Sequence, residues 1–238
     1  MNILAIDTTG KTVSAALINE STLLGEMTLN SGQKTSVTLM SMIKHLLDNV
    51  HMSVSDLTHI ACTSGPGSFT GLRIGAATAK AIAYAMDIPI VAVPTLDALA
   101  YNVMNAQALI VPLMDARRQQ VYTAFFECSG DDLVRRSDYM AKEIEDVLKE
   151  IKDILMETSQ FNNRVIFLGD GAIAYHDVIV NNGLDLDYSF AALPLSLQRA
   201  ASTAGLALKL ASNGYSIDSK SFTPFYLRLS QAERLRKR

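Results

Sequence analysis

No apolar run in this sequence is long enough to cross a bilayer, and cysteine, histidine pairing and net charge are all in short supply. The two cysteines, Cys62 and Cys128, sit in apolar runs without metal-ligand spacing, so they read as buried reduced thiols. The four histidines, His45, His51, His59 and His176, include no pair three or four positions apart. No helix therefore presents two imidazoles on one face, which removes the usual helical metal-hydrolase motif. The formal net charge is only -3, with 19% charged and 49% hydrophobic residues. That balance argues against disorder and against a general attraction to nucleic acid, so direct RNA binding by the chain alone is not expected. Met1 runs within two residues into the strand-like "ILAI", leaving no space for a leader's basic region and cleavage site. The expected location is the cytoplasm.

What is present is a chain of two similar halves. "NILAIDTTGKTVSAALI" reads as a strand ending at Asp7, a turn over 8–11 and a second strand from Thr12. "LIVPLMDARRQQVYTAFF" repeats the pattern, with a strand ending at Asp115 and another restarting near Val121. Asp7 and Asp115 are 108 positions apart, as are Val13 and Val121. "THIACTSGPG" and "RVIFLGDGA" add a looser echo, each a strand followed by a glycine turn and helix-like sequence. A period of half the chain indicates duplication of one α/β unit rather than a solenoid. The helix opening at Thr95 after Pro94 dies near Asn105, which divides the chain into lobes 1–105 and 106–238. Residues 139–156 read as a solvated amphipathic helix. A last helix is expected over 196–213, capped by Gly214, with an apolar face that docks on one of the two lobes, a return to the first lobe being one arrangement.

The stretch "TSGPGSFTGLRIG" invites comparison with phosphate cradles. A Walker loop needs a lysine and a hydroxyl after its last glycine, where this chain has Leu72 and Arg73. A dinucleotide fingerprint needs glycine where Thr70 stands, and a nucleophile elbow needs glycines where Pro66 and Thr70 flank Ser68. What is left is small residues that admit a close backbone, ahead of a helix start that attracts an anion. The residues placed for nucleotide or anion contact are Asp7, Thr8, Gly65, Gly67, Ser68 and Asp115.

The helix from Leu72 to Met86 confines Arg73, Lys80 and Asp87 to one sector, and nearly everything else on it is apolar or small. An inner helix of an α/β sandwich accounts for one such face and leaves the other without a neighbour. The earlier helix "TSVTLMSMIKHLLDNV" spreads apolar side chains over roughly 160°, against the stripe of about 100° a one-sided helix needs. The expectation is a partner interface carried by Leu39, Met42, Ile43 and Leu46 on the first helix and Arg73, Ala77, Lys80, Ala81 and Tyr84 on the second. An enzyme alternative uses Asp7 for magnesium and phosphate and Asp115 as general base, as in a small-molecule kinase. A peptidase alternative finds neither a metal motif nor an activated nucleophile.

"MNILAIDTT", "SGPGSFTGLRIGAATAKAIA", "IPIVAVPTLDALA", "FLGDGA" and "TPFYLR" closely resemble the bacterial TsaB (YeaZ) family, in that family's order and spacing. The resemblance implies the duplicated α/β fold of the actin, Hsp70 and sugar-kinase superfamily. It also implies a non-catalytic scaffold role beside a related subunit, TsaD, which transfers threonylcarbamoyl to N6 of adenosine 37 in tRNA, with a small ATPase, TsaE. On that reading the chain has no cofactor of its own, ATP or ADP and a metal belong to the partner subunits, tRNA is met only through the complex, and a homodimer forms when the partner is absent. Gly169, Asp170 and Gly171 join the nucleotide or anion contacts only through this resemblance, as the counterpart of an adenosine-contacting turn. An old family label, glycoprotease, is the source of the peptidase alternative. Family members often carry His-Ser-Glu where this chain has Thr35, Ser36 and Val37. The basic tail Arg234, Arg236, Lys237 and Arg238 reads as a solvated segment.

Overall fold

A computed structural model describes residues 1–32, 35–157, 164–182 and 187–228, so the basic tail lies outside the described residues. The chain divides into two units, one made of Met1–Ala98 with the residues from Gln198 on, the other of Leu99–Leu197. The sequence-based division at residue 105 differs in that the boundary falls earlier, inside a helix, while the residues from Gln198 group with the first unit, the return that the sequence reading allowed for the last helix.

In the first unit, β1 (Asn2–Asp7), β2 (Val13–Asn19) and β3 (Leu23–Leu29) form an antiparallel meander, and β4 (His59–Gly65) and β5 (Ile90–Pro94) extend it in parallel, in the order β3-β2-β1-β4-β5. Strand β1 is apolar at successive positions because both faces of this sheet are covered. Leu4 and Ile6 pack under α1 (Thr35–Asn49) and α2 (Phe69–Met86), while Ile3 and Ala5 face the opposite side. That opposite side is closed by α7 (Ala200–Ser212), whose Ala200, Ala204 and Ala207 meet Ala5, Ala16 and Ala61. Alanine against alanine brings the helix backbone close to the sheet, which explains why so small-faced a helix docks here.

Helix α7 starts four residues later than the sequence pattern suggests. Leu193–Leu195 form a separate 3-10 turn, and Arg199 is extended. The start is fixed from the sheet instead: the Ser14 hydroxyl accepts the Ala200 N–H at 2.8 Å, and Glu26 accepts the Ala201 N–H at 3.0 Å while pairing with the Arg199 guanidinium. Gly214 takes the left-handed conformation expected of a helix cap, φ 79°. Helix α3 (Thr95–Tyr101) ends before Asn105, continuing only as turns.

The second unit repeats the order. β6 (Leu109–Asp115) is central, β7 (Gln120–Thr123) pairs antiparallel with it, β11 (Arg164–Leu168) and β12 (Asp187–Phe190) extend it in parallel, and β10 (Met140–Glu143) closes the far edge. A ribbon of β8 (Phe126–Ser129) and β9 (Asp132–Arg135) branches from β6. The region read as a helix over 139–156 is in part strand: Met140–Glu143 pair with β7, and α4 (Ile144–Glu157) begins only after them, with Glu145 and Asp146 in its first turn complementing the helix dipole. On α4, Ile144, Val147, Leu148, Ile151 and Leu155 face the sheet, as the amphipathic pattern requires. Helices α5 (Asp170–Ala174) and α6 (His176–Asn181) follow β11. Both units thus place an aspartate at the end of a central strand, followed by a hairpin turn.

Candidate functional site

The glycine turn between β4 and α2 is filled by the chain itself. The Thr8 carbonyl oxygen lies where a Cβ on Gly71 would stand, and the Thr9 carbonyl oxygen is 2.7 Å from the Cβ position of Gly67. The Ser68 N–H donates to the Thr9 carbonyl at 2.8 Å, and the Thr8 hydroxyl donates to the Gly71 carbonyl at 2.7 Å. Carbonyl oxygens, which repel phosphate, therefore face these two glycines. Ser68 itself caps α2, its hydroxyl accepting the Gly71 N–H at 3.3 Å. Gly65 has φ 119° and lies directly beneath the Phe225 carbonyl, so its freedom and its missing side chain are both used. The turn clamps α2 to the β1–β2 hairpin, and a phosphate does not fit among these residues.

Asp7 is buried at the end of β1. Its Oδ1 accepts the backbone N–H (2.9 Å) and the hydroxyl (2.7 Å) of Thr9, while Oδ2 has no hydrogen-bond partner. Burial pushes its pKa above the usual carboxylate range, outweighing the Thr9 donors that act in the opposite direction. Neighbouring Cys62 is also buried, and burial together with Asp7 pushes its thiol far up, consistent with an inert sulfur. Cys128 is a free thiol too, but only half-buried, its sulfur accepting the Asn105 N–H at 3.2 Å.

The face formed by α1 and α2 corrects the expected interface. Leu39, Met42, Ile43 and Leu46 are all buried in the core beneath their own sheet, so they have no surface to offer a partner. The wide apolar arc on α1 is consumed by β2 on one flank and α2 on the other. Lys80 is half-buried, its ammonium donating to the carbonyls of Lys220 (3.1 Å) and Phe222 (3.0 Å), and so is committed to the C-terminal segment. Ala77, Ala81 and Tyr84 do stay outside, as does Arg73, which stacks over the Phe69 ring at 4.6 Å. Around them lies an apolar groove of about 480 Å³ lined by Met40, Val54, Ala77, Thr78, Ala81, Ile82 and Ala85. Met40, in its lining, is 52% exposed, and Val37 on α1 and Tyr84 on α2 are 71% and 68% exposed. Of the residues that sequence reading named, those on α1 are turned into the core, while Arg73, Ala77, Ala81 and Tyr84 on α2 remain exposed. Met40 and Val54 were not among the residues named from sequence: the helix wheel of α1 does not say which flank of a wide arc the sheet covers, and Val54 lies beyond α1 in the 3-10 turn Val54–Asp56.

The C-terminal segment straps this unit. Ile217 exchanges backbone hydrogen bonds with Ile90, both at 2.8 Å, and the Phe225 N–H donates to the Ser64 carbonyl at 2.6 Å. Phe222 is buried in the core, and Tyr226 stacks on Phe69 with centroids 4.2 Å apart. No local pattern announces these contacts; only the apolar "FTPFY" hints at them.

In the second unit, Gly169 (φ 100°) and Gly171 pack against the backbone of Leu113 and Met114, and Asp170, buried, accepts the Asp115 N–H at 3.3 Å. Asp115 accepts the Arg117 N–H at 2.7 Å and the Tyr175 hydroxyl at 3.0 Å, so its carboxylate braces the turn that follows β6. Asp7 and Asp115 belong to different units, each held by its own strand end. Among the described residues, no three His, Cys, Asp or Glu side chains converge to hold a metal ion.

This architecture, a doubled βββαβαβ-like unit whose glycine turns serve packing, is a fold shared with the solved inorganic polyphosphate/ATP-glucomannokinase of Arthrobacter sp. strain KM, at a TM-score of 0.52 and 12% identity over 89% of this chain and 99% of that one. A family model described as TsaD, tRNA N6-adenosine threonylcarbamoyltransferase, matches residues 23–235. The chain is 43% identical over 127 residues to the tRNA threonylcarbamoyladenosine biosynthesis protein TsaB of Bacillus subtilis, an alignment spanning 53% of this chain and 56% of that one. It is 29% identical over 230 residues to the protein of the same name from Escherichia coli, covering 96% of this chain and 95% of that one. The solved structure of YeaZ from Pseudomonas aeruginosa shares the fold, with a TM-score of 0.80 at 23% identity over 95% of this chain and 99% of that one. The chain belongs to the tRNA N6-adenosine threonylcarbamoyltransferase family, in its TsaB (YeaZ) branch.

Proposed function

We propose that this chain is a non-catalytic scaffold subunit in the synthesis of N6-threonylcarbamoyladenosine in tRNA, binding the transferase TsaD and, with it, TsaE. Family membership supports the pathway, and the relatives named TsaB carry it in their description. The observation that carries the scaffold role is the apolar groove on the α1–α2 face, a surface of small side chains that admits a partner helix closely. The nucleotide, the metal and the transferase chemistry belong to the partner subunits on this reading, and tRNA is engaged within the assembly. Without TsaD, the same greasy face supports a homodimer. The glycine turn, filled by the Thr8 and Thr9 carbonyls, favours this reading over the kinase alternative.

The test is reconstitution with purified TsaD, TsaE, the threonylcarbamoyl donor and a tRNA transcript. The chain should restore modification, and Ala77→Trp or Ala81→Trp should abolish it while leaving the melting temperature within a few degrees. Modification that proceeds equally well with the bulky variants contradicts the scaffold surface. Turnover of ATP by the chain alone, lost in Asp7→Ala, would revive the kinase reading.

A further inference from the structure

The turn between β6 and β7 holds three consecutive residues, Arg117, Arg118 and Gln119, in the left-handed region, with φ of 63°, 57° and 61°. None is glycine, so each is strained by its own Cβ. A hairpin at this place does not require it: the matching turn between β1 and β2 contains no positive φ. Strain of this kind persists only where the surroundings over-determine it. Here the Asp115 carboxylate takes the Arg117 N–H, the Gln120 carbonyl takes the Ala116 N–H at 2.9 Å, the Arg117 carbonyl takes the Gln120 N–H at 3.2 Å, and the Gln119 carbonyl takes the Ile144 N–H at 3.0 Å. Tyr175 and the Asp170 carboxylate in turn fix Asp115. Four segments of the second unit converge on the turn.

The product of this bracing is two exposed guanidinium groups on a rigid backbone, neither in an ion pair among the described residues. Acids stand close by: Glu143 is on the β10 residue paired with Gln120, and Glu145 and Asp146 open α4. They cancel any long-range positive field, so the arginines act at contact distance. A planar guanidinium fork at contact distance is matched to the oxygens of a phosphodiester. We propose that Arg117 and Arg118 form a preorganised contact for the phosphate backbone of the RNA substrate. This rests on the function proposed above, and it assigns an RNA contact to the second unit, whereas the apolar groove belongs to the first.

The test compares the unsubstituted chain with R117A/R118A and R117K/R118K in the reconstituted reaction, varying the tRNA transcript. The double alanine variant should raise KM for tRNA about 5–10-fold with kcat within about twofold, and should make the dependence of log kcat/KM on log salt shallower by about 1 to 2. The lysine pair should fall between, having charge without the fork. Co-elution with TsaD should be unchanged. An unaltered KM and salt slope overturn the proposal, and so does loss of the TsaD complex, which would make the turn a protein contact. If the unsubstituted chain fails to support modification, the proposed function fails; anisotropy of the labelled transcript with the isolated chain at low salt then decides the arginine contact, equal signals for both chains overturning it.

Discussion

Asp7 shows what a single residue can report. Its folded-state pKa is raised by burial, so the folded protein holds a proton that the unfolded chain releases. The resulting stability is present in full below the unfolded carboxylate's pKa, near about 3.9, and is lost as pH rises through the folded value. Thermal melts of the unsubstituted chain and Asp7→Asn, taken from pH 4 upward, should therefore diverge with increasing pH at up to about 1.4 kcal/mol per unit, the Asn variant becoming the more stable. A difference independent of pH would show that Asp7 is ionised in the fold. The glycines give a second contrast at this scale. Gly71→Ala drives a methyl into the Thr8 backbone carbonyl, whereas Gly10→Ala meets only the Gln198 side chain. Urea denaturation should show a loss of about 3 kcal/mol for the first and clearly less for the second. The sequence marks the turn as a close-approach device by its small residues and by its failure to match any phosphate loop. It does not say that the approaching group is a carbonyl of the β1–β2 hairpin, because that contact joins residues some sixty positions apart.

Elements were legible where their periodicity was strong and their caps local. Strands β1, β2, β6 and β7 and helices α1 and α2 follow the patterns written in residues 2–19, 109–123 and 35–86. The start of α7 was not, since its cap comes from Ser14 and Glu26 across the sheet rather than from the residues preceding it. Strand β10 was absorbed into a helix because four residues carry too little pattern to separate from the amphipathic run behind them. The Glu26–Arg199 pair should consequently matter more than its place on a strand suggests. Glu26→Gln should cost about 3 kcal/mol in chemical denaturation, and the double change with Arg199→Gln should cost less than the two single changes summed. Strict additivity would mean the pair does not anchor the helix. Phe222→Ala should likewise destabilise the first unit by about 3–4 kcal/mol, since a buried ring of the strap is lost from the core.

For the whole molecule, the two-unit plan was readable from the 108-residue echo of Asp7 in Asp115, and the recurrence of one strand order in both sheets bears it out. The exposed apolar face of the first unit was only half readable. Apolar side chains in excess of a one-sided helix identify α1 and α2, but the sheet claims Leu39, Met42, Ile43 and Leu46 and leaves the groove beside Ala77, Ala81 and Met40. That groove is the centre of the account. Its direct test is size-exclusion chromatography of the chain mixed with TsaD at micromolar concentration, repeated with Ala81→Trp. A stable mixed complex for the unsubstituted chain, absent for a variant that melts normally, is the result predicted. Separate elution of the unsubstituted chain, or a complex indifferent to the tryptophan, would contradict it.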